Sequence, residues 1–259
     1  MRLDNNEIAN SFIELLEVLR KLRAPGGCSW DQKQTSQSLI PYLLEETHEI
    51  IEAIETKNLE ALKEELGDLM LHVLFQAEIA TEEKNFNIID SLQNVTKKLI
   101  QRHPNVFNQN NKIINDSWEI NKQKEKKREN ILDGVPKTLP ALLRARRIQE
   151  KAASVNFDWK DIKPVIDKVD EEICELKEAI EKENVEMIKE ELGDTLFSIV
   201  NLSRFLEIDP ESSLRKTILK FEKRFSKVEN ELKKRGKSFS NTNFEEMDEI
   251  WNLIKEAHG

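Results

Sequence analysis

A charged, helix-rich stretch occurs twice in this chain. Residues 45–68 read EETHEIIEAIETKNLEALKEELGD and residues 171–194 read EEICELKEAIEKENVEMIKEELGD; at a constant offset of 126, 15 of the 24 positions are identical. Duplication on this scale means two copies of one structural unit, each obliged to bury its own apolar faces. The likeness continues in a shifted register, where Lys98-Leu-Ile-Gln-Arg102 answers Lys220-Phe-Glu-Lys-Arg224, and further on Trp118 has a counterpart in Trp251. A chain of 259 residues gives each copy the length of one small domain. The joint is expected where Gly134, Pro136 and Pro140 cluster, which divides the chain into 1–135 and 136–259.

Turn residues are scarce. Gly and Pro supply 7 residues each, against a usual combined share of about 12%. Sandwiches, barrels and propellers need such residues at every turn, whereas 34% charged residues interleaved with Leu and Ile suit long helices. The expected fold class is therefore all-α. No apolar run reaches the length of a bilayer span, so no membrane partner is expected. Asp4, Glu7 and Glu14 interrupt the N-terminal segment, which is not read as a signal peptide. Two cysteines, Cys28 and Cys174, cannot form a disulfide framework; both are read as small buried residues in a cytoplasmic protein. A net charge of −9 disfavours nucleic acid as a partner but leaves polyphosphates open if a cation mediates.

Periodicity places the helices. In the second copy Ile162, Val165, Ile166, Val169, Ile173, Leu176 and Ile180 recur at spacings of three and four, one apolar helix face. The next helix carries Ile188, Leu192, Leu196, Ile199, Leu202 and Leu206, and the short Glu183-Asn184 connection makes the two antiparallel. Pro210 opens a third helix, with Asp209 as its cap. The first copy repeats this plan with helices near 39–56, 59–84 and 87–102, after an opening helix at about 5–23. Each half is thus expected to be a bundle of about four helices.

The repeated carboxylates carry the chemistry. Glu172 and Glu175 lie three apart on one helix, and Glu191 and Asp194 three apart on the next, so each pair shares a face. Glu172 falls beside the apolar seam. Four carboxylates meeting there would repel one another unless a cation sat between them. An all-oxygen set suits Mg²⁺ or Mn²⁺, and Mg²⁺ in such sites keeps waters and binds phosphate oxygens. Gly67 and Gly193, each just before the aspartate, cost helix stability and are expected to make room for a close helix or a ligand. His72, four after Asp68, is answered by Ser198 in the other copy and is not counted as a ligand. Arg144, Arg146, Arg147 and Lys151 are expected to meet phosphate, a carboxylate or water, and the basic run 122–128 to be a solvated helix face.

Glu-Glu-x-x-Glu followed by Glu-x-x-Asp resembles the all-α nucleoside triphosphate pyrophosphohydrolases. The tandem arrangement, the stretch LRAPGGCSWDQKQT at 22–35 and RHPNVF at 102–107 make the chain similar to their two-domain members. The resemblance implies Mg²⁺-dependent cleavage of a nucleoside triphosphate to monophosphate and diphosphate by a homodimer, with Mn²⁺ as a substitute and the second domain as principal catalyst. It implies Glu172, Glu175, Glu191 and Asp194 as metal ligands. Lys168, Glu171, Glu172, Lys189, Glu190, Lys220, Arg224 and Trp251 would bind the nucleotide. Glu46, Glu49, Glu65, Asp68, Lys98 and Arg102 would form a secondary site in the first copy.

Elementary chemistry is compatible with those roles. Phosphoryl transfer needs charge neutralisation and an aligned water more than covalent chemistry. Lys220 and Arg224, four apart, offer cationic donors, Trp251 a stacking surface indifferent to base identity, and Glu171 or Glu190 a carboxylate to orient water. His103-Pro104 ends the first copy's helix just after Arg102, whereas the second copy's runs on through Phe225 and Val228, which favours the second copy as catalyst. Two other readings stay open: a narrower relative, specific for dUTP or phosphoribosyl-ATP, and a non-catalytic metal-binding interaction protein.

Overall fold

The computed structural model describes residues 4–107 and 130–256, and among these there is no strand. The chain divides into two compact units, Met1–Ile114 and Asn115–Gly259. The joint expected at 135/136 therefore falls inside the second unit. There Ile131 already makes a tertiary contact, its carbonyl accepting from the buried Lys151 Nζ at 3.0 Å.

The first unit contains α1 (Asn5–Arg23), α2 (Ser29–Lys33), α3 (Ile40–Thr56), α4 (Leu59–Glu82), α5 (Ile88–Arg102) and the short α6 (Pro104–Phe107). The second contains α7 (Ala141–Ala153), α8 (Ile162–Glu181), α9 (Val185–Phe205), α10 (Pro210–Lys234), a 3₁₀ turn (Phe239–Asn241) and α11 (Phe244–Glu256). Both repeats use the same helical hairpin. Lys57 and Glu183 adopt positive φ of 58° and 51°, and the Asn that follows each caps the next helix. Asn58 Oδ1 accepts from Ala61 N at 3.2 Å and Asn184 Oδ1 from Met187 N at 3.3 Å. Asp209 caps α10, accepting from Ser212 N at 2.7 Å with Pro210 opening the helix.

In the first unit α1 lies on α4. Leu16 and Leu19 meet Leu39, Leu74, Phe75 and Ile79 in one buried cluster, and Arg23 Nη2 pairs with Glu82 Oε2 at 2.6 Å along its edge. The second unit does not close into one four-helix core. Helix α10 pairs with α11 around its own cluster of Val228, Leu232 and Ile250. The apolar stripe of α8 also fails to bury as a whole: Val165 and Ala179 are enclosed, whereas Ile162, Ile166 and Ile180 are exposed.

Other expectations change as well. Cys174 is exposed and Cys28 only partly covered, so neither is a core residue. A Cβ at Gly67 or Gly193 would meet open space, so close helix packing within a unit is not what either glycine serves. Arg146 and Arg147 are engaged by Glu150, with Arg146 also reaching Asp209 at 3.2 Å, rather than standing free for phosphate. Trp118 and the basic run 122–128 lie outside the described residues.

Candidate metal and phosphate site

The α8–α9 hairpin gathers the carboxylates. Glu172, Glu175 and Glu191 each present an oxygen within 4.8 Å of the others. Glu172 is only 6% exposed, a large desolvation cost for a carboxylate without a cation. One turn earlier on α8, Lys168 Nζ lies 2.8 Å from Glu172 Oε1 and 2.8 Å from Glu171 Oε1. Those hydrogen bonds hold the ammonium above its ordinary pKa. Burial raises the Glu191 pKa, and the charges of Glu175, Glu172, Asp194 and Glu190 push it in the same direction. Asp194, one turn after Glu191, contributes to that field and faces the adjoining cavity. Rigid helices presenting only oxygen donors, and carboxylates that resist bearing uncompensated charge, fit a hard divalent cation such as Mg²⁺.

Beside the triad opens a cavity of about 810 Å³. Lys168, Glu172 and Asp194 line it on the triad's side, and Ile148, Val155, Phe157, Trp159, Val165 and Phe197 give it apolar walls. Gln149, Ser198, Asn201 and Arg204 supply its polar groups. Arg204 Nη2 donates to Asp158 Oδ1 at 2.7 Å and to Asn201 Oδ1 at 2.9 Å. This clamp pins the loop between α7 and α8, on which Phe157 stands 81% exposed beside the half-exposed Trp159. Such volume and lining are usual for a small-molecule site.

The first unit builds the same triad from Glu46, Glu49 and Glu65, also within 4.8 Å of one another. Its surroundings differ. Tyr42 stands where the second unit has Lys168, and His72 where it has Ser198. Instead of an ammonium, Glu46 Oε1 faces His72 Nε2 at 3.8 Å. Tyr42 stacks on the His72 ring with centroids 6.4 Å apart and planes 11° off parallel, and Trp30 meets Tyr42 edge-on at 5.8 Å. Burial raises the Glu46 pKa, with Asp68 and Glu49 adding to the effect. It raises that of Glu65 too, helped by Glu49, Glu64 and Asp68. His72 is lowered by burial, against the opposing charge of Asp68.

The other expected nucleotide residues lie elsewhere. Lys189 turns back to Glu186 at 2.8 Å, and Lys63 pairs likewise with Glu60. Lys220 is exposed and Arg224 half-buried on α10, and Trp251 packs on Phe221 at 5.1 Å; none of the three lines the cavity. Lys98 and Arg102 lie on α5, which has no buried residue. Glu171 is held by Lys168, and Glu190 is exposed beside Glu191. Sequence reasoning missed Gln149, Asn201, Arg204 and the Phe157–Trp159 loop. A signal was present: an aspartate bracketed by two aromatics, next to a helix carrying the carboxylates.

The family model described as the MazG nucleotide pyrophosphohydrolase domain matches the chain twice, at residues 34–107 and 162–229. A protein named nucleoside triphosphate pyrophosphohydrolase/pyrophosphatase MazG from Thermotoga maritima is 48% identical over 246 residues, covering 94% of this chain and 95% of its own. The nucleoside triphosphate pyrophosphohydrolase of Escherichia coli K12 is 40% identical over 256 residues, 95% of this chain and 97% of its own. The uncharacterized protein YabN of Bacillus subtilis is 41% identical over 258 residues, 96% of this chain but 52% of its own length.

Proposed function

This chain is a member of the MazG nucleotide pyrophosphohydrolase family, and we propose that it is a Mg²⁺-dependent enzyme converting nucleoside triphosphate and water to nucleoside monophosphate and diphosphate. The observation that carries the reading is the α8–α9 triad of Glu172, Glu175 and Glu191 with Lys168 against it and a cavity alongside. Asp194 completes the ligand set. When bound, Mg²⁺ (or Mn²⁺ in its place) neutralises phosphate oxygens as charge develops on them.

The chain's own groups do the rest. Lys168 fixes the Glu172 carboxylate in one orientation and adds positive charge beside the phosphates. It also engages Glu171, which weakens that carboxylate as a base, so Glu190 is the group that orients the attacking water. The cavity takes the base and ribose. Its walls are mostly apolar, and burial of any base against them supports broad base specificity.

A homodimer belongs to the same reading. Leu66, Met70 and Val73 on α4 correspond to Leu192, Leu196 and Ile199 on α9, and all six are between 42% and 51% exposed. Leu214, Ile218, Phe221 and Phe225 form a further exposed stripe on α10. Large apolar stripes left open in both repeats suit a two-fold interface between copies. Lys220 and Arg224 flank the α10 stripe, and they reach the phosphates from the second copy. Both cysteines are free, in keeping with a cytoplasmic setting, and no described helix is long and apolar enough to cross a membrane.

The test is product analysis over the common nucleoside triphosphates, with and without Mg²⁺. Diphosphate and monophosphate from several of them, only with metal, is the expected result. One strongly preferred nucleotide would indicate a narrower pyrophosphatase, and no hydrolysis of any would overturn the enzymatic reading.

A further inference from the structure

Two buried carboxamides line the cavity of the second unit, and each is oriented by a partner that can play only one part. Asn201, 8% exposed, accepts at Oδ1 from Arg204 Nε at 3.1 Å and from Arg204 Nη2 at 2.9 Å. A guanidinium only donates, so the oxygen must face it and the Nδ2 hydrogens point away. Nδ2 has no partner among the described residues. Gln149, 7% exposed, donates from Nε2 to the Phe197 carbonyl at 2.9 Å. A carbonyl only accepts, which leaves Oε1 as the open end, and that oxygen is enclosed without a hydrogen-bond partner. The wall thus holds one donor and one acceptor that the chain itself does not satisfy. Buried amide groups in that state are costly unless a ligand completes them.

We propose that Gln149 and Asn201 read the Watson–Crick edge of the nucleotide base. Gln149 Oε1 accepts from a base N–H, and Asn201 Nδ2 donates to the ring nitrogen or carbonyl beside it. The inference rests on the reading of this cavity as the base and ribose site. Position supports it: Asn201 lies two turns beyond Asp194 on the same face of α9, about 10 Å along the helix from the carboxylates. With the phosphates at the carboxylates and the ribose next to them, the Watson–Crick edge is the part of the base farthest from the sugar. Chemistry supports it too, because a neutral donor beside a neutral acceptor matches a base edge and not a phosphate. Phe157 and Trp159, on the loop that Arg204 holds through Asp158, line the same cavity with ring faces. A base stacked on aromatic rings and hydrogen-bonded along its edge is a common mode of recognition. Each standard base carries an N–H next to an acceptor on that edge. The pair therefore admits several bases while rejecting a ring that lacks the donor.

The experiment compares ATP with purine riboside triphosphate, which keeps the ring and the phosphates but lacks the exocyclic amine. Diphosphate release by the unaltered full chain in Mg²⁺ should give a kcat/KM at least about tenfold lower for purine riboside triphosphate, mainly through KM. In Gln149→Met the gap between the two substrates should close, because the acceptor is gone. Asn201→Asp keeps an oxygen for Arg204 but turns the donor into a second acceptor. It should raise KM for ATP at least about tenfold, and raise it less for 1-deaza-ATP, which has no ring nitrogen at that edge. Equal kcat/KM for ATP and purine riboside triphosphate in the unaltered chain would overturn the inference while leaving the proposed activity standing. That comparison needs no substitution, so it decides the question even if a variant folds poorly. Hydrolysis of neither substrate would overturn the proposed activity and this inference with it.

Discussion

Lys168 Nζ stands 2.8 Å from the buried Oε1 of Glu172, whereas the residue at the matching place in the first unit is Tyr42. That single exchange separates two otherwise similar carboxylate triads. In one, part of the negative charge is met from within the chain, and the same ammonium is left pointing at the cavity rim. In the other, it is not.

Removing the ammonium should therefore damage the second unit specifically. Lys168→Met is expected to lower kcat/KM for a nucleoside triphosphate by about 10- to 100-fold, the loss of one charge-assisted contact of about 1.4–2.7 kcal/mol. Glu171→Gln should act mainly through KM, by loosening Lys168, and Glu190→Gln mainly through kcat. Steady-state kinetics of the three variants check this, and equal effects of Glu171→Gln and Glu190→Gln on kcat would contradict the assignment of the water-orienting group.

The triads should also leave a mark on stability against pH. Glu46, Glu65 and Glu191 have pKa values raised by burial and by their acidic neighbours. In the folded chain each holds its proton to higher pH than in the unfolded chain, so folding takes up protons in that window and stability falls as pH rises. Glu82 and Glu231 are lowered by Arg23 and Arg235, and they act in the opposite sense at more acidic pH, below the ordinary carboxylate range. Metal-free protein should thus gain melting temperature as pH falls toward the ordinary carboxylate range, before losing it in stronger acid. Added Mg²⁺ should stabilise more at neutral pH than near the ordinary carboxylate range, where protons compete for the same oxygens. Thermal melts with and without chelator measure this, and Glu191→Gln should flatten the rise.

Assembly gives a third expectation. Leu196→Glu places a charge within the exposed α9 stripe of Leu192, Leu196 and Ile199, and it should convert a dimer to a monomer by light scattering at micromolar concentration. If α10 serves the second copy, mixing inactive Glu175→Gln with inactive Arg224→Ala chains should restore activity, up to about a quarter of the unmixed value. No recovery would place Lys220 and Arg224 outside the neighbouring copy's site.

Much of this was readable before any coordinates. The Asn58 and Asn184 caps, the Asp209-Pro210 start and the hairpin turns are local signals, and their helices lie within two residues of where periodicity puts them. The inward position of Glu172 followed from its distance to Val169 and Leu176 along one helix face. Tertiary relations were less legible. The spacing of Ile162, Ile166 and Ile180 marks an apolar face but cannot say whether the chain itself covers it. The clamp from Arg204 to Asp158 joins residues 46 apart in sequence, which no period encodes. Helix α10 showed a strong apolar pattern too, yet it serves a separate pair with α11.

The central claim is that the triad beside Lys168, not its counterpart beside His72, performs the chemistry. Diphosphate release from ATP in Mg²⁺ by Glu175→Gln and by Glu49→Gln, each made singly in the full chain, tests it most directly. Glu175→Gln should lose at least about 1,000-fold, roughly 4 kcal/mol of transition-state stabilisation, while Glu49→Gln stays within a few-fold of the unaltered chain. A greater loss from Glu49→Gln than from Glu175→Gln would contradict the account.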